Sequence, residues 1–258
     1  MKKDYIFYSF ISFVSGLFIS FTFFDREGFP ALVNMIHHVD MGYLNSDNLN
    51  LSQLIFILIP YVLFQSVFGT YIYRHFCSAA IYVFSRGFNK GIWYIKQLLE
   101  LFMCSFFNAF LYISGVLFVH VLWGKDLEAG EDFLYETLIY LVILTLYMFV
   151  TSLLINVVAI ISDSNIAFAV CQAVYLALAV FYLYPGSYHM NYALEMIDPE
   201  YAWMIEYNPF SYMVFNTRLI PTDYQASVDV FLILILVVSY AGYVVVKKRE
   251  FVSTVNLS

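Results

Sequence analysis

Charge is what this chain lacks most. Asp, Glu, Lys and Arg make up 12% of its 258 residues and hydrophobic residues 62%, whereas about 25% of a soluble domain is charged. That composition excludes a soluble globule. Cysteine is scarce too. Cys77, Cys104 and Cys171 are the only three, an odd number placed in or beside apolar stretches, which excludes a disulfide framework. No Gly-x-x-x-x-Gly-Lys-Ser/Thr occurs, so the chain has no phosphate-binding loop with which to hydrolyse ATP. Ionisable groups inside apolar stretches are nearly missing as well. Glu100 is the only acid well within one, and its place one turn from Lys96 predicts a local ion pair rather than a proton relay. Ser114, Ser152 and Asn156 lie in such stretches with no deep acid or histidine beside them. An intramembrane hydrolase would need that nucleophile–base pair.

What the chain does have is six long apolar runs: Tyr5–Phe24, Leu51–Tyr73, Gln97–Trp123, Thr137–Ile161, Asn165–Tyr184 and Val228–Val246. Each reaches the ~20 residues that a helix needs to cross a bilayer core. The expected fold is therefore an all-α integral membrane protein with six transmembrane helices. The first run reads as an uncleaved span: it is longer than a signal-peptide core and ends Phe21-Thr22-Phe23-Phe24 without a small-x-small site.

The basic residues orient the helices. With the N-terminus inside, nine of the twelve fall on cytoplasmic segments: Lys2, Lys3, Arg74, Arg86, Lys90, Lys96, Lys247, Lys248 and Arg249. Only four of the nineteen acids do: Asp4, Glu100, Asp163 and Glu250. The positive-inside bias then predicts a multi-pass protein with both termini cytoplasmic. The net charge of −7 belongs to the outer face and gives no reason to expect a nucleic-acid partner.

The connecting segments are unequal. Ser162–Ser164 reads as a tight inner turn in which Asp163 or Ser164 caps the fifth span, and Gly124–Glu136 as a short outer loop. Asp25–Asn50 and Pro185–Ser227 are long outer segments. The second is rich in aromatic and Met side chains, Trp203 and Tyr207 among them, which favour the headgroup level. Re-entrant or interfacial helices are expected there, divided at Pro199 and Asn208-Pro209. On the inner side, the apolar patch between Arg74 and Arg86 is too short to span and too apolar for water. It reads as a short amphipathic helix lying on the inner leaflet or seated in a partner's groove. Gly87 and Gly91 let the chain turn back after it, and Lys90 and Lys96 mark re-entry.

The interior polar residues are neutral: Gln65, Asn108, Asn156 and Gln172. They either hydrogen-bond between helices or line a path. A path without fixed charge suits amphipathic peptides or lipids better than ions or sugars. His37, His38 and Asp40 lack further ligands nearby and read as ordinary loop residues.

This arrangement resembles the permease subunits of type-2 ABC exporters. The resemblance rests on six spans, cytoplasmic termini and a short inner helix carrying Arg74, Ile81-Tyr82-Val83-Phe84 and Arg86, followed by Trp93 and Lys96 at the third span. Asn208-Pro209-Phe210 before the last span fits as well. The bias toward Phe, Tyr and Ile is similar to small permeases that low-GC Gram-positive bacteria pair with peptide-toxin or bacteriocin systems. The resemblance implies a single permease domain over 1–258 in the cell membrane, paired with a second copy or a paralogue. Cytoplasmic ATPase subunits would bind ATP and Mg, this chain holding no cofactor itself. Ile81, Tyr82, Val83, Phe84 and Arg86 would couple to the ATPase, and Gln65, Asn108, Asn156, Gln172, Trp203 and Tyr207 would mark the path of an amphipathic or hydrophobic peptide leaving the cell. Rival readings are a membrane sensor for outer-face peptides, a lipid- or polysaccharide-exporting permease, and a secondary carrier or intramembrane enzyme.

Overall fold

A computed structural model describes residues 10–18, 20, 51–82, 84, 89–122, 131–188, 190–191, 196–197, 199–212 and 224–249. Residues 10–18 form a first helical stretch, α1. There follow α2 (Leu51–Phe68), α3 (Tyr71–Tyr82), α4 (Lys90–Leu122), α5 (Glu131–Ile161) and α6 (Ser164–Tyr188). Two two-residue strands, β1 (Met190–Asn191) and β2 (Met196–Ile197), pair antiparallel. The short α7 (Pro199–Glu206) and the long α8 (Tyr224–Lys248) complete the chain. Apart from that strand pair, the regular structure among the described residues is helical.

Helix α5 is the hub. Every residue from 143 to 153 is buried, and α5 packs against α2, α3, α4, α6 and α8. A helix apolar on all sides can be satisfied only by neighbours all round. Helix α8 is the opposite case. It buries Ser227, Phe231, Gly242 and Val246, while Leu232, Ile233, Leu236, Val237 and Tyr240 are exposed. Exposed apolar stripes of this length mark a surface meant for an apolar medium or a partner. Among the described residues, four helices are long and apolar enough to cross a membrane: Lys90–Val119, Thr137–Ile161, Ser164–Tyr182 and Tyr224–Lys248. The run Tyr5–Phe24 is described only at 10–18 and 20.

The boundaries differ from the sequence reading in several places: α5 begins at Glu131, inside the expected Gly124–Glu136 loop, and α8 at Tyr224 rather than Val228. The second run does not continue to Tyr73: the helix ends at Phe68 and a new one starts at Tyr71. The third helix starts at Lys90 rather than Gln97, because Asn89 caps it. Asn89 Oδ1 accepts the Gly91 N–H at 2.8 Å and its carbonyl accepts the Trp93 N–H at 3.1 Å, which satisfies orphan donors of the first turn. Gly91 therefore lies in the helix and not at a bend. Helix α6 also runs on past Tyr184 and Pro185 to Tyr188, shortening the segment that follows it. The Ser162–Ser164 turn carries the expected cap. Asp163 Oδ1 accepts the Asn165 N–H at 2.8 Å and its carbonyl the Ala167 N–H at 2.9 Å.

Candidate functional site

The break between α2 and α3 is built around one side chain of the hub. Asn156 on α5 is fully buried. Its Nδ2 donates to the Phe68 carbonyl at 3.0 Å and to the Ser152 carbonyl at 2.8 Å, and its Oδ1 accepts the Tyr73 N–H at 3.1 Å. A carbonyl at the end of α2 and an N–H in the first turn of α3 are the groups a helix break leaves without partners. One amide satisfies both, with each Nδ2 proton in use. Apolar periodicity alone cannot reveal this, since Tyr71 and Ile72 are buried and extend the pattern of α2 across the break.

Two other polar residues from the expected path meet nearby. Gln172 on α6 donates through Nε2 to Gln65 Oε1 on α2, and the Gln65 carbonyl accepts the Gly69 N–H at 2.7 Å, ending α2. Gln65, Gln172 and Asn156 thus gather on the last turns of α2. Asn108 is buried on α4 and stands apart from these bonds.

Helix α3 is held at its other end by aromatic packing. Phe84 is half-buried and meets the Trp93 ring edge-on at 5.4 Å, with Phe76 at 5.8 Å from each of them. Lys90 Nζ stands 5.8 Å from the centre of the Phe84 ring. Phe84 is therefore committed to its own chain, an arrangement that a sequence reading of four consecutive apolar anchors does not distinguish. Ile81 and Tyr82 form the last turn of α3, and Val83 and Arg86 lie outside the described residues. Arg74 and Ser78 are exposed on α3. Arg74 Nη2 reaches back to the Val67 carbonyl at 2.6 Å.

Glu100 does not pair with Lys96. Its Oε2 accepts the Tyr71 hydroxyl at 2.9 Å and Gln97 Nε2 at 3.2 Å, while Lys96 is exposed. The i, i+4 spacing puts Lys96 on the same face as Glu100, yet the carboxylate takes the Tyr71 hydroxyl and Gln97, and Lys96 stays in the open. This carboxylate ties α4 to the first turn of α3. Sequence spacing could have suggested Gln97, three residues before Glu100. It could not have suggested Tyr71.

At the other end of the bundle, Trp203 on α7 and Tyr207 just after it are 55% and 79% exposed. The elbow after α7 is anchored. Asn208 donates through Nδ2 to the Leu178 carbonyl of α6 at 2.7 Å and accepts the Phe210 N–H at 2.9 Å, while Phe210 packs on Tyr182 at 5.5 Å. The Asn-Pro-Phe element thus fixes where α7 presents its rings. All three cysteines are free thiols. Among the described residues no cluster of three metal-ligating side chains occurs; His37, His38 and Asp40 fall outside them. No ligand chemistry is visible in these arrangements. They are a mechanical joint around α3 and an exposed aromatic surface at α7. Set against protein-family models, curated proteins and solved structures, the chain matches none.

Proposed function

We propose that this chain is the six-span membrane subunit of an ATP-driven exporter, with α3 as the element on which a separate cytoplasmic ATPase acts. The observation that carries this reading is the fixation of α3 at both ends, by Asn156 and Glu100 at its start and by Phe84 against Trp93 after its end. A short helix pinned in this way passes a push on to α4 and α5 instead of absorbing it. The exposed Arg74 and Ser78 and the last turn at Ile81 and Tyr82 offer the docking surface, and Phe84 serves as its anchor. Gln65, Gln172 and Asn156 hold helices together rather than select cargo. The exposed Trp203 and Tyr207 provide aromatic contact area for an amphipathic peptide at the outer boundary.

Co-purification from the native membrane tests the reading. An ATPase with a phosphate-binding loop should accompany the chain, and Tyr82→Asp should release it while the thermal stability of the helices stays unchanged. If no ATPase accompanies the wild-type chain, the exporter reading fails. A sensor of outer-face peptides, which would use the same Trp203 and Tyr207 surface without ATP, then takes its place.

A further inference from the structure

The start of α4 and the end of α8 cross with four cations at the crossing and no described carboxylate paired to them. Lys90 Nζ donates to the Arg249 carbonyl at 3.1 Å, which places the first residue of α4 beside the residue that follows α8. Lys247, Lys248 and Arg249 are all exposed there. Lys247 Nζ stands 5.9 Å from the centre of the Tyr243 ring, and Gly91 admits that ring so closely that an added Cβ would lie 3.0 Å from it. Both helices leave the crossing with uncovered apolar stripes, Ile92, Ile95 and Leu99 on α4 and Leu236, Val237 and Tyr240 on α8.

We infer that this crossing binds the headgroup of an anionic phospholipid, with its acyl chains lying along those stripes. Basic groups between helices at the cytoplasmic side attract anionic headgroups. A phosphate accepts from several Lys and Arg donors at once. Exposed leucine, isoleucine and valine beneath the cations favour an amphiphile over a free anion. Lys90 serves as the strap, because its bond to the Arg249 carbonyl brings cations from two helices to one place. The inference requires the membrane location but not the exporter reading, so it stands or falls independently of the ATPase.

The test uses the purified full chain in a neutral detergent. Thermal unfolding would be followed while phosphatidylglycerol, phosphatidylcholine or inorganic phosphate is titrated at matched ionic strength. Phosphatidylglycerol should stabilise saturably and lose its effect in high salt, and the other two should not stabilise. Lys247→Gln, Lys248→Gln and Arg249→Gln combined should weaken the apparent affinity by roughly fivefold per charge removed. These residues are exposed, so the triple variant should keep the unliganded melting temperature. Lys96→Gln, on α4 but outside the crossing, should leave the affinity unchanged. Equal stabilisation by phosphatidylcholine, stabilisation by phosphate alone, or equal weakening by Lys96→Gln would each overturn the inference.

Discussion

Gly16 and Gly115 lie where α1 crosses α4, each admitting the other helix's backbone into the place its own side chain would take. A Cβ on Gly16 would collide with the Tyr112 carbonyl oxygen, and one on Gly115 with that of Phe13. Both glycines are buried, and Phe13 packs beside the crossing on Phe118, the rings tilted with centroids 5.8 Å apart. In lipid there is no hydrophobic force between helices, so close backbone approach through small residues is a main source of packing energy.

Replacing either glycine with Leu should therefore force α1 off α4. Overpacking of this kind costs ~1–3 kcal/mol, equivalent to several degrees in a chain of this size. Melting of the detergent-solubilised variants measures it. A wild-type melting temperature in both would show that α1 does not rest on this crossing.

Asn156→Leu should be among the most damaging single changes in the bundle. It takes the partner from the part-buried Tyr73 N–H and one donor from the Phe68 carbonyl, and the stranded N–H alone costs about 1–3 kcal/mol. Asn156→Asp keeps the acceptor for Tyr73 but turns a carboxyl oxygen toward the Phe68 and Ser152 carbonyls, and should be at least as damaging. Hydrogen exchange at Tyr73 distinguishes a local effect from a global one: it should quicken in Asn156→Leu well before α5 itself exchanges.

Phe84→Ala and Tyr82→Asp should behave differently. Phe84→Ala removes a ring packed on Trp93 and Phe76, and should lower the melting temperature and shift the Trp93 emission. Under the exporter proposal, Tyr82→Asp should leave both unchanged and release the ATPase. Identical behaviour of the two variants would remove the distinction between anchor and docking surface.

Labelling with a membrane-impermeant thiol reagent, in a background without native cysteine, tests orientation. Tyr207→Cys just after α7 should react from outside. Ser162→Cys in the exposed α5–α6 turn should react only after permeabilisation. Reaction of both from the same side would contradict an odd number of crossings between them.

Trp203→Ala and Tyr207→Ala should leave stability within ~0.5 kcal/mol, as is usual for exposed sites. In the reconstituted complex they should blunt stimulation of ATP hydrolysis by amphipathic peptides while basal hydrolysis continues. Stimulation by a lipid or polysaccharide precursor alone would change the cargo and leave the coupling argument in place.

Composition and run length were enough to read four long apolar helices of this protein, because length and continuous apolarity are properties of one segment alone. Thr137–Ile161 is the same span by either route. Short-range chemistry was legible for the same reason: the Asp163 cap lies within two residues of the group it serves. What only the tertiary structure decided depends on partners distant in sequence. Whether Asn156 lines a path or splices two helix ends depends on residues 83 and 88 positions away, and Glu100 takes Tyr71 over Lys96 because the fold brings that hydroxyl, 29 positions away, to 2.9 Å. Phe84 likewise became an anchor when Trp93 and Phe76 came to lie beside it. A pattern of apolar residues says that a ring must be covered, and the packed fold determines what covers it.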